Sequence, residues 1–289
     1  MIQIDNSFFQ EETRDGYLVT AEKKALWGIM LDLLSVFQDI CSRHNLKYWA
    51  DGGTLLGAVR HQGFIPWDDD VDILMKREDY DKFCQICQDE IQKPYFLQNW
   101  TTDFIGISHS RLMNEDTAYF DVPPQKDMLT KRGISIEIHP CDIVPNDDFL
   151  FSAENFNLWN IKREMSVFFS LFKSGKITIE ELRQKLDSLI EKYNLECQKY
   201  NAVETGIWGC MGITEENFGR KKHFASDGYD EPIMLQFEML QIPVPRDYEK
   251  VLTDIYGDWQ IINKNDTNHK TVLFDANKSY KEYIDEAKY

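Results

Sequence analysis

Apolar and polar positions alternate most sharply in two short stretches. In Asp68-Asp-Asp-Val-Asp-Ile-Leu-Met75, acids at 68, 70 and 72 occupy every second position, with Val71, Ile73 and Met75 between and after them. In Gly133-Ile-Ser-Ile-Glu-Ile-His-Pro140, Ser135, Glu137 and His139 alternate with Ile134, Ile136 and Ile138. A period of two belongs to extended backbone, whose successive side chains point to opposite faces. Each stretch therefore predicts a strand with one aliphatic face and one polar, acid-bearing face.

Elsewhere the period is three to four. Leu26, Met30, Leu33, Phe37 and Ile40 mark an amphipathic covering helix of about 24 residues, capped by Thr20 and ended by Asn45. A second helix opens at Arg77 and runs to about Ile91. Two longer ones, from about Leu150 to Phe172 and from about Ile179 to Tyr200, flank a Lys-Ser-Gly-Lys turn and predict a helical hairpin inserted between core segments. A short helix, Tyr248–Tyr256, is followed by Gly257, which can terminate it. Further strands are predicted at Lys47–Ala50, Tyr95–Gln98 and Ile105–Met113, and a pair of extended segments around a turn within Pro232–Pro245.

The segment between the first helix and the acidic comb carries the chemistry. Asp51-Gly52-Gly53-Thr54 joins a strand end to a helical stretch, Thr54–Arg60. Glycines there permit a tight turn and close backbone approach, and the first N–H groups of a helix lack intrahelical partners, so the turn is suited to an anion. The comb that follows gathers like charges that a cation would reconcile. An EF-hand loop does not explain it, because the sixth position is Ile73 rather than Gly and the twelfth is Asp79 rather than Glu.

Composition narrows the class. With 49 acidic against 32 basic residues the formal charge is −17, which disfavours a nucleic-acid partner. Six cysteines lack a disulfide-framework spacing. Cys84 and Cys87 share a helical stretch with no second pair, and read as packed thiols rather than a zinc site. We find no signal-like N-terminus and no apolar run of about 18 residues, so a soluble, intracellular protein without an integral membrane segment is expected. The aromatic patch Val167–Phe172 is expected to pack in the core rather than meet a membrane.

Four blocks resemble the LicD family, which includes phosphorylcholine transferases of bacterial surface glycans and, more distantly, fukutin-type ribitol-phosphate transferases. They are Gly53–His61, Ile65–Ile73, Gly133–Asp142, and Val244-Pro-Arg-Asp-Tyr with Tyr256-Gly-Asp-Trp259. Two departures stand out. Glu137-Ile-His-Pro replaces the family's usual Asp-Ile-Phe-Pro, and the proline expected soon after Tyr-Gly-Asp is missing. His139 is expected to be a core histidine bonded to a neighbour.

The resemblance implies an α+β (mixed α/β) fold, with a nucleotidyltransferase-like mixed β-sheet flanked by helices. It divides the chain into an N-terminal arm and covering helix (1–45), a catalytic domain including the hairpin (46–259) and a C-terminal tail packed on the core (260–289). It further implies metal-dependent transfer of a phospho-alcohol, phosphorylcholine foremost, from a CDP-activated donor such as CDP-choline to a sugar hydroxyl, releasing CMP. The acceptor would be a lipid-linked or polymeric precursor of teichoic acid, lipopolysaccharide or capsule, and the location cytoplasmic, at the inner face of the membrane.

On this reading Asp70 and Asp72 bind one or two Mg²⁺ (Mn²⁺ being the alternative), with Asp68 beside them. Glu137 completes the coordination or accepts the acceptor proton. Gly52, Gly53 and Thr54 bind phosphate, while Arg60, His61 and Arg111 supply charged contacts. Rival readings are nucleotidyl transfer with release of pyrophosphate, a glycosyltransferase using an Asp-x-Asp motif, and a non-catalytic CDP-alcohol-binding scaffold.

Overall fold

A computed structural model describes residues 2–103, 108–125, 128–203, 207–210, 224–262 and 272–287. The chain opens with a small hairpin, β1 (Glu12–Arg14) and β2 (Tyr17–Val19), and then enters α1 (Ala21–His44). The Thr20 hydroxyl accepts the Lys23 N–H at 3.2 Å, and Asn45 turns out of the helix with φ 53°. Leu26, Trp27, Met30, Leu33, Phe37 and Ile40 are all buried, so the predicted apolar stripe does cover the core.

By length and composition α1 is also apolar enough to cross a membrane, contrary to the expectation that no run reached that threshold. Its most apolar window is 61% buried inside the fold, as befits a core helix.

Next come β3 (Trp49–Ala50), α2 (Gly52–His61), β4 (Asp72–Lys76) and α3 (Arg77–Glu90). They lead to β5 (Tyr95–Gln98), β6 (Ser110–Asn114), β7 (Ala118–Phe120) and the long β8 (Ile134–Ile143). In β8, Ile134, Ile136 and Ile138 are fully buried while Ser135 and Glu137 are half-exposed, which is the alternation the sequence predicts. His139 departs from that rhythm and is buried.

The hairpin is α4 (Asp148–Lys173) with α5 (Ile179–Cys197), joined through Gly175 at φ 68°. Leu158, Ile161 and Met165 meet Leu182, Leu186 and Leu189 in a core of their own, to which Trp100 and Val144 from outside the hairpin also belong. Of the aromatic patch, Val167 is exposed, and Phe168, Phe169 and Phe172 pack partly against that core rather than within it. The remaining elements are β9 (Ile207–Gly209), β10 (Phe224–Ala225), the hairpin β11 (Ile233–Phe237) and β12 (Leu240–Val244), α6 (Tyr248–Tyr256), β13 (Leu273–Asp275) and α7 (Tyr280–Glu286).

The fold is α+β. Its central sheet runs β3, β4, β8, with β4 and β8 parallel. Along its other edge β8 pairs first with β6, which carries β5, and then with β9, which carries β10. The tail attaches where β13 pairs with β7.

Four sequence expectations change here. The strand predicted from Lys47 is only Trp49–Ala50, and that from Ile105 begins at Ser110, with 104–107 outside the described residues. The acidic comb is not a regular strand either. A turn in which the Asp68 N–H donates to Ile65 O at 2.9 Å breaks the alternation, and β4 begins only at Asp72. Finally, Cys87 is buried whereas Cys84 is half-buried, its sulfur 3.3 Å from the Ser110 hydroxyl; the pair forms no metal cluster among the described residues.

Candidate active site

The glycine turn and the acids meet as closely as the sequence suggests. Gly52 adopts φ +52°, and a Cβ there would lie 3.1 Å from Asp72 Oδ2 and 4.0 Å from the Tyr256 hydroxyl. A Cβ on Gly53 would lie 2.6 Å from Asp68 Oδ2. Only glycine lets the first turn of α2 approach both carboxylates. The Thr54 hydroxyl accepts the Asp72 N–H at 2.9 Å, fixing the point at which the comb becomes a strand.

From the other side α1 holds the turn. Lys23 Nζ and Trp27 Nε1 both donate to the Asp68 carbonyl, each at 3.1 Å. Burial lowers the Lys23 pKa, while the charges of Asp69, Asp68 and Asp70 oppose that shift. Asp68, Asp69 and Asp70 bring carboxylate oxygens within 4.8 Å of one another. Asp69 belongs to the cluster although strict alternation would have turned it away; the turn before it is the reason. Its Oδ2 lies 3.4 Å from the Tyr119 hydroxyl.

The second acidic strand arrives in register. Asp72 stands opposite Glu137 across β4–β8, and Arg111 opposite Glu137 across β6–β8. Arg111 donates through Nε and Nη2 to Glu137 Oε1, at 2.9 and 2.7 Å. Glu137 Oε2 faces the other way, 3.1 Å from His109 Nε2 and 3.6 Å from His139 Nε2. His139 Nε2 is 3.2 Å from Asp72 Oδ1. The histidine is thus buried and bonded to a neighbour as expected, but that neighbour is an acid of the comb.

Charge is distributed unevenly among these groups. Burial raises the Asp72 pKa; the bond to His139 opposes this, and the charges of Glu137 and Asp51 reinforce it. Burial would raise Glu137 too, yet His109 and Arg111 hold it well below the ordinary carboxylate range. Burial lowers His109 to about 4. It would also lower His139, but Asp72 and then Glu137 outweigh it and raise that ring to about 9. Burial and the charges of Asp51, Asp72, Asp68 and Asp70 push the Tyr256 phenol upward, so it retains its proton as a donor.

Not every predicted residue converges. Arg60 and His61 close the opposite end of α2, about 12 Å along the axis from the glycine turn at 1.5 Å per residue. Arg60 donates to Trp259 O at 2.9 Å, and His61 Nε2 lies 3.1 Å from Asp15 Oδ2. Conversely, Lys23, Asp51, Asp69, His109, Tyr119 and Tyr256 gather at the site without having been assigned a role in it. Asp51 and His109 had a local signal, the first preceding the glycines and the second preceding Arg111 by two. Lys23 had none, since helical periodicity does not reveal what a helix lies against.

The oxygen donors that converge, Asp68, Asp69 and Asp70, are of the kind that could hold a hard divalent cation such as Mg²⁺. Residues 45–142, which hold all of the candidate acids, match the family model described as LicD/FKTN/FKRP, nucleotidyltransferase domain. That stretch is similar to the LicD family's nucleotidyltransferase domain.

The likeness extends beyond that domain. Over 246 residues the chain is 28% identical to a lipopolysaccharide cholinephosphotransferase, LicD, of Haemophilus influenzae, covering 80% of this chain and 88% of that protein. A shorter stretch of 34 residues is 56% identical to the human ribitol 5-phosphate transferase FKRP, covering 12% of this chain and 7% of that one. An uncharacterised Rickettsia typhi protein is 44% identical over 79 residues, 27% of this chain and 25% of its own length. Similarity to a LicD phosphotransferase over most of both chains supports a transferase.

Proposed function

We propose that this protein transfers a phospho-alcohol, phosphorylcholine foremost, from a CDP-activated donor to a sugar hydroxyl of a bacterial surface glycan precursor and releases CMP. The observation that carries this reading is the convergence of a glycine-floored helix start, Asp72 and Glu137 on one patch of the sheet, in a chain alignable with a cholinephosphotransferase over most of its length. Such a site has the parts phosphoryl transfer calls for, namely backbone donors for phosphate and carboxylates for its counter-ion.

Asp68, Asp70 and Asp72 are assigned to hold Mg²⁺ or Mn²⁺, with Asp69 and Glu137 at its margin. When bound, the cation would offset charge on the donor diphosphate and on departing CMP. Gly52, Gly53 and Thr54 present the first N–H groups of α2 to the phosphates, and protonated Tyr256 adds a hydroxyl donor beside them.

Glu137, held by the fork of Arg111, is assigned to coordination rather than to proton removal. Arg111 therefore positions this carboxylate instead of meeting phosphate. The placement of Arg60 and His61 assigns them to the far end of α2 and not to the donor. The acceptor is taken to be lipid-linked or polymeric and met at the cytoplasmic face of the membrane.

The deciding experiment is a panel of CDP-choline, CDP-ethanolamine, CDP-glycerol and CDP-ribitol with glycan acceptors, with and without Mg²⁺. Metal-dependent CMP release coupled to phospho-alcohol on the glycan is expected. Pyrophosphate as the product would favour nucleotidyl transfer, and CDP-alcohol binding without turnover would favour a scaffold.

A further inference from the structure

His109, Glu137 and His139 form a second group of converging donors, beside the oxygen-only acid cluster and different from it in chemistry. Their ligand atoms lie within 4.8 Å of one another, and both imidazoles are buried, at 9% and 6% exposure. The spacings are those of ligands around one small cation. Donors held at about 2.1 Å from a metal lie about 3.0 Å apart at right angles and about 3.4 Å apart at tetrahedral angles. Here His109 Nε2 is 3.1 Å from Glu137 Oε2, His139 Nε2 is 3.6 Å from the same oxygen, and Asp72 Oδ1 is 3.2 Å from His139 Nε2.

Hydrogen bonding among the described residues leaves this arrangement partly unexplained. His109 Nε2 is buried and close to Glu137, yet it is not aligned for a hydrogen bond. His139 Nδ1 is buried without a partner, so the polar anchorage of that ring lies wholly at Nε2. Arg111 takes Oε1 of Glu137 and so leaves Oε2 directed at the histidines.

We propose that His109, His139 and Glu137 form a three-donor binding site for a transition-metal dication such as Zn²⁺ or Co²⁺, beside the Mg²⁺-type acid cluster. Imidazole nitrogens favour such ions over Mg²⁺, which prefers oxygen. Occupation places the ion where His139 Nε2 otherwise carries its hydrogen, so binding releases that proton to solvent. The two sites would adjoin where Asp72 stands opposite Glu137. This proposal does not rest on the transfer reaction and is tested without it.

The experiment is a titration of metal-free protein with Co²⁺, followed by visible absorption and by calorimetry with Zn²⁺. The expected result is one Co²⁺ equivalent with the spectrum of an imidazole-bound ion, retained in Asp70→Asn and in millimolar Mg²⁺, and weakened at least tenfold in His109→Gln and in His139→Gln. A wild-type protein that binds neither Co²⁺ nor Zn²⁺ overturns the proposal, as does unchanged binding in both histidine variants. If either variant loses its near-ultraviolet circular dichroism, the unaltered protein still decides: Zn²⁺ added in millimolar Mg²⁺ should shift the ring proton resonances of His109 and His139 well before those of His44, and equal shifts of all three, or none, refute the site.

Discussion

Asp72 and Glu137 stand directly opposite each other on the parallel strands β4 and β8, and His139 reaches both through one nitrogen. Two acids held in register by a backbone ladder cannot separate without breaking the sheet, so their spacing belongs to the fold rather than to side-chain choice. Asp72→Asn keeps the volume and removes the charge. It should reduce CMP release by about 10²-fold or more, the scale of losing several kcal/mol of metal-borne charge stabilisation. Near-ultraviolet circular dichroism should be unchanged, and near-normal turnover in a folded variant would remove Asp72 from the metal site.

The two glycines of the turn are held against carboxylates, unlike Gly175, which meets nothing. A methyl group at Gly53 would come within 2.6 Å of Asp68 Oδ2, so Gly53→Ala should displace that carboxylate and weaken Mn²⁺ binding at the acid cluster, measured by paramagnetic relaxation. Gly175, with φ +68° and nothing within 4 Å, is the control. Gly175→Ala should cost about 1–2 kcal/mol through backbone strain alone and leave metal affinity unchanged.

Beneath the site Arg77 and Asp142 form a buried pair, with Nε and Nη2 donating to the two carboxylate oxygens at 2.9 and 2.6 Å. Asn201 donates to the same carboxylate at 2.8 Å. Asp142→Ala strands a buried guanidinium and should cost about 3–5 kcal/mol in urea unfolding, whereas Arg77→Met combined with Asp142→Leu should recover most of that loss. A double variant no more stable than the single would show that the pair is needed for more than mutual neutralisation.

His61 supplies the clearest acid sensitivity outside the metal-binding region. Burial and then the neighbouring Arg60 lower its pKa below the ordinary 6.5, against the pull of Asp15. With the folded pKa below the unfolded one, its contribution is complete above pH 6.5 and is lost as pH falls toward the folded value. His61→Gln should therefore flatten the fall in thermal midpoint below pH 6.5, with little change at pH 8. An identical acid limb in both proteins would assign that sensitivity elsewhere.

Much of this architecture was legible in the residues. Periodicity located α1 with its Thr20 cap and Asn45 end, the alternation of β8 and the helical hairpin, because each is dictated by local geometry and a single buried face. The convergence of Gly53, Asp72 and Glu137 was legible only through the family resemblance, since pairing between distant strands has no local signature. What failed had physical causes. Arg60 and His61 were assigned charged contacts because they follow the glycine turn closely in sequence within the family-like block, but a helix ten residues long carries its last turn away from its first. The comb read as a strand because composition does not show that the Asp68 N–H closes a turn onto Ile65. His139 is the bonded core histidine that was expected, but its neighbours Asp72 and His109 lie on other elements and could not be named from local sequence.

The clamp of Lys23 and Trp27 on the Asp68 carbonyl bears on where this domain begins. The stretch recognisable as LicD starts at residue 45, yet the backbone of its acid run is held by a helix that ends at His44. The heritable signature and the mechanical unit have different borders. Residues 45–142 expressed alone would keep every acid of the motif and lose the brace that aims the first of them.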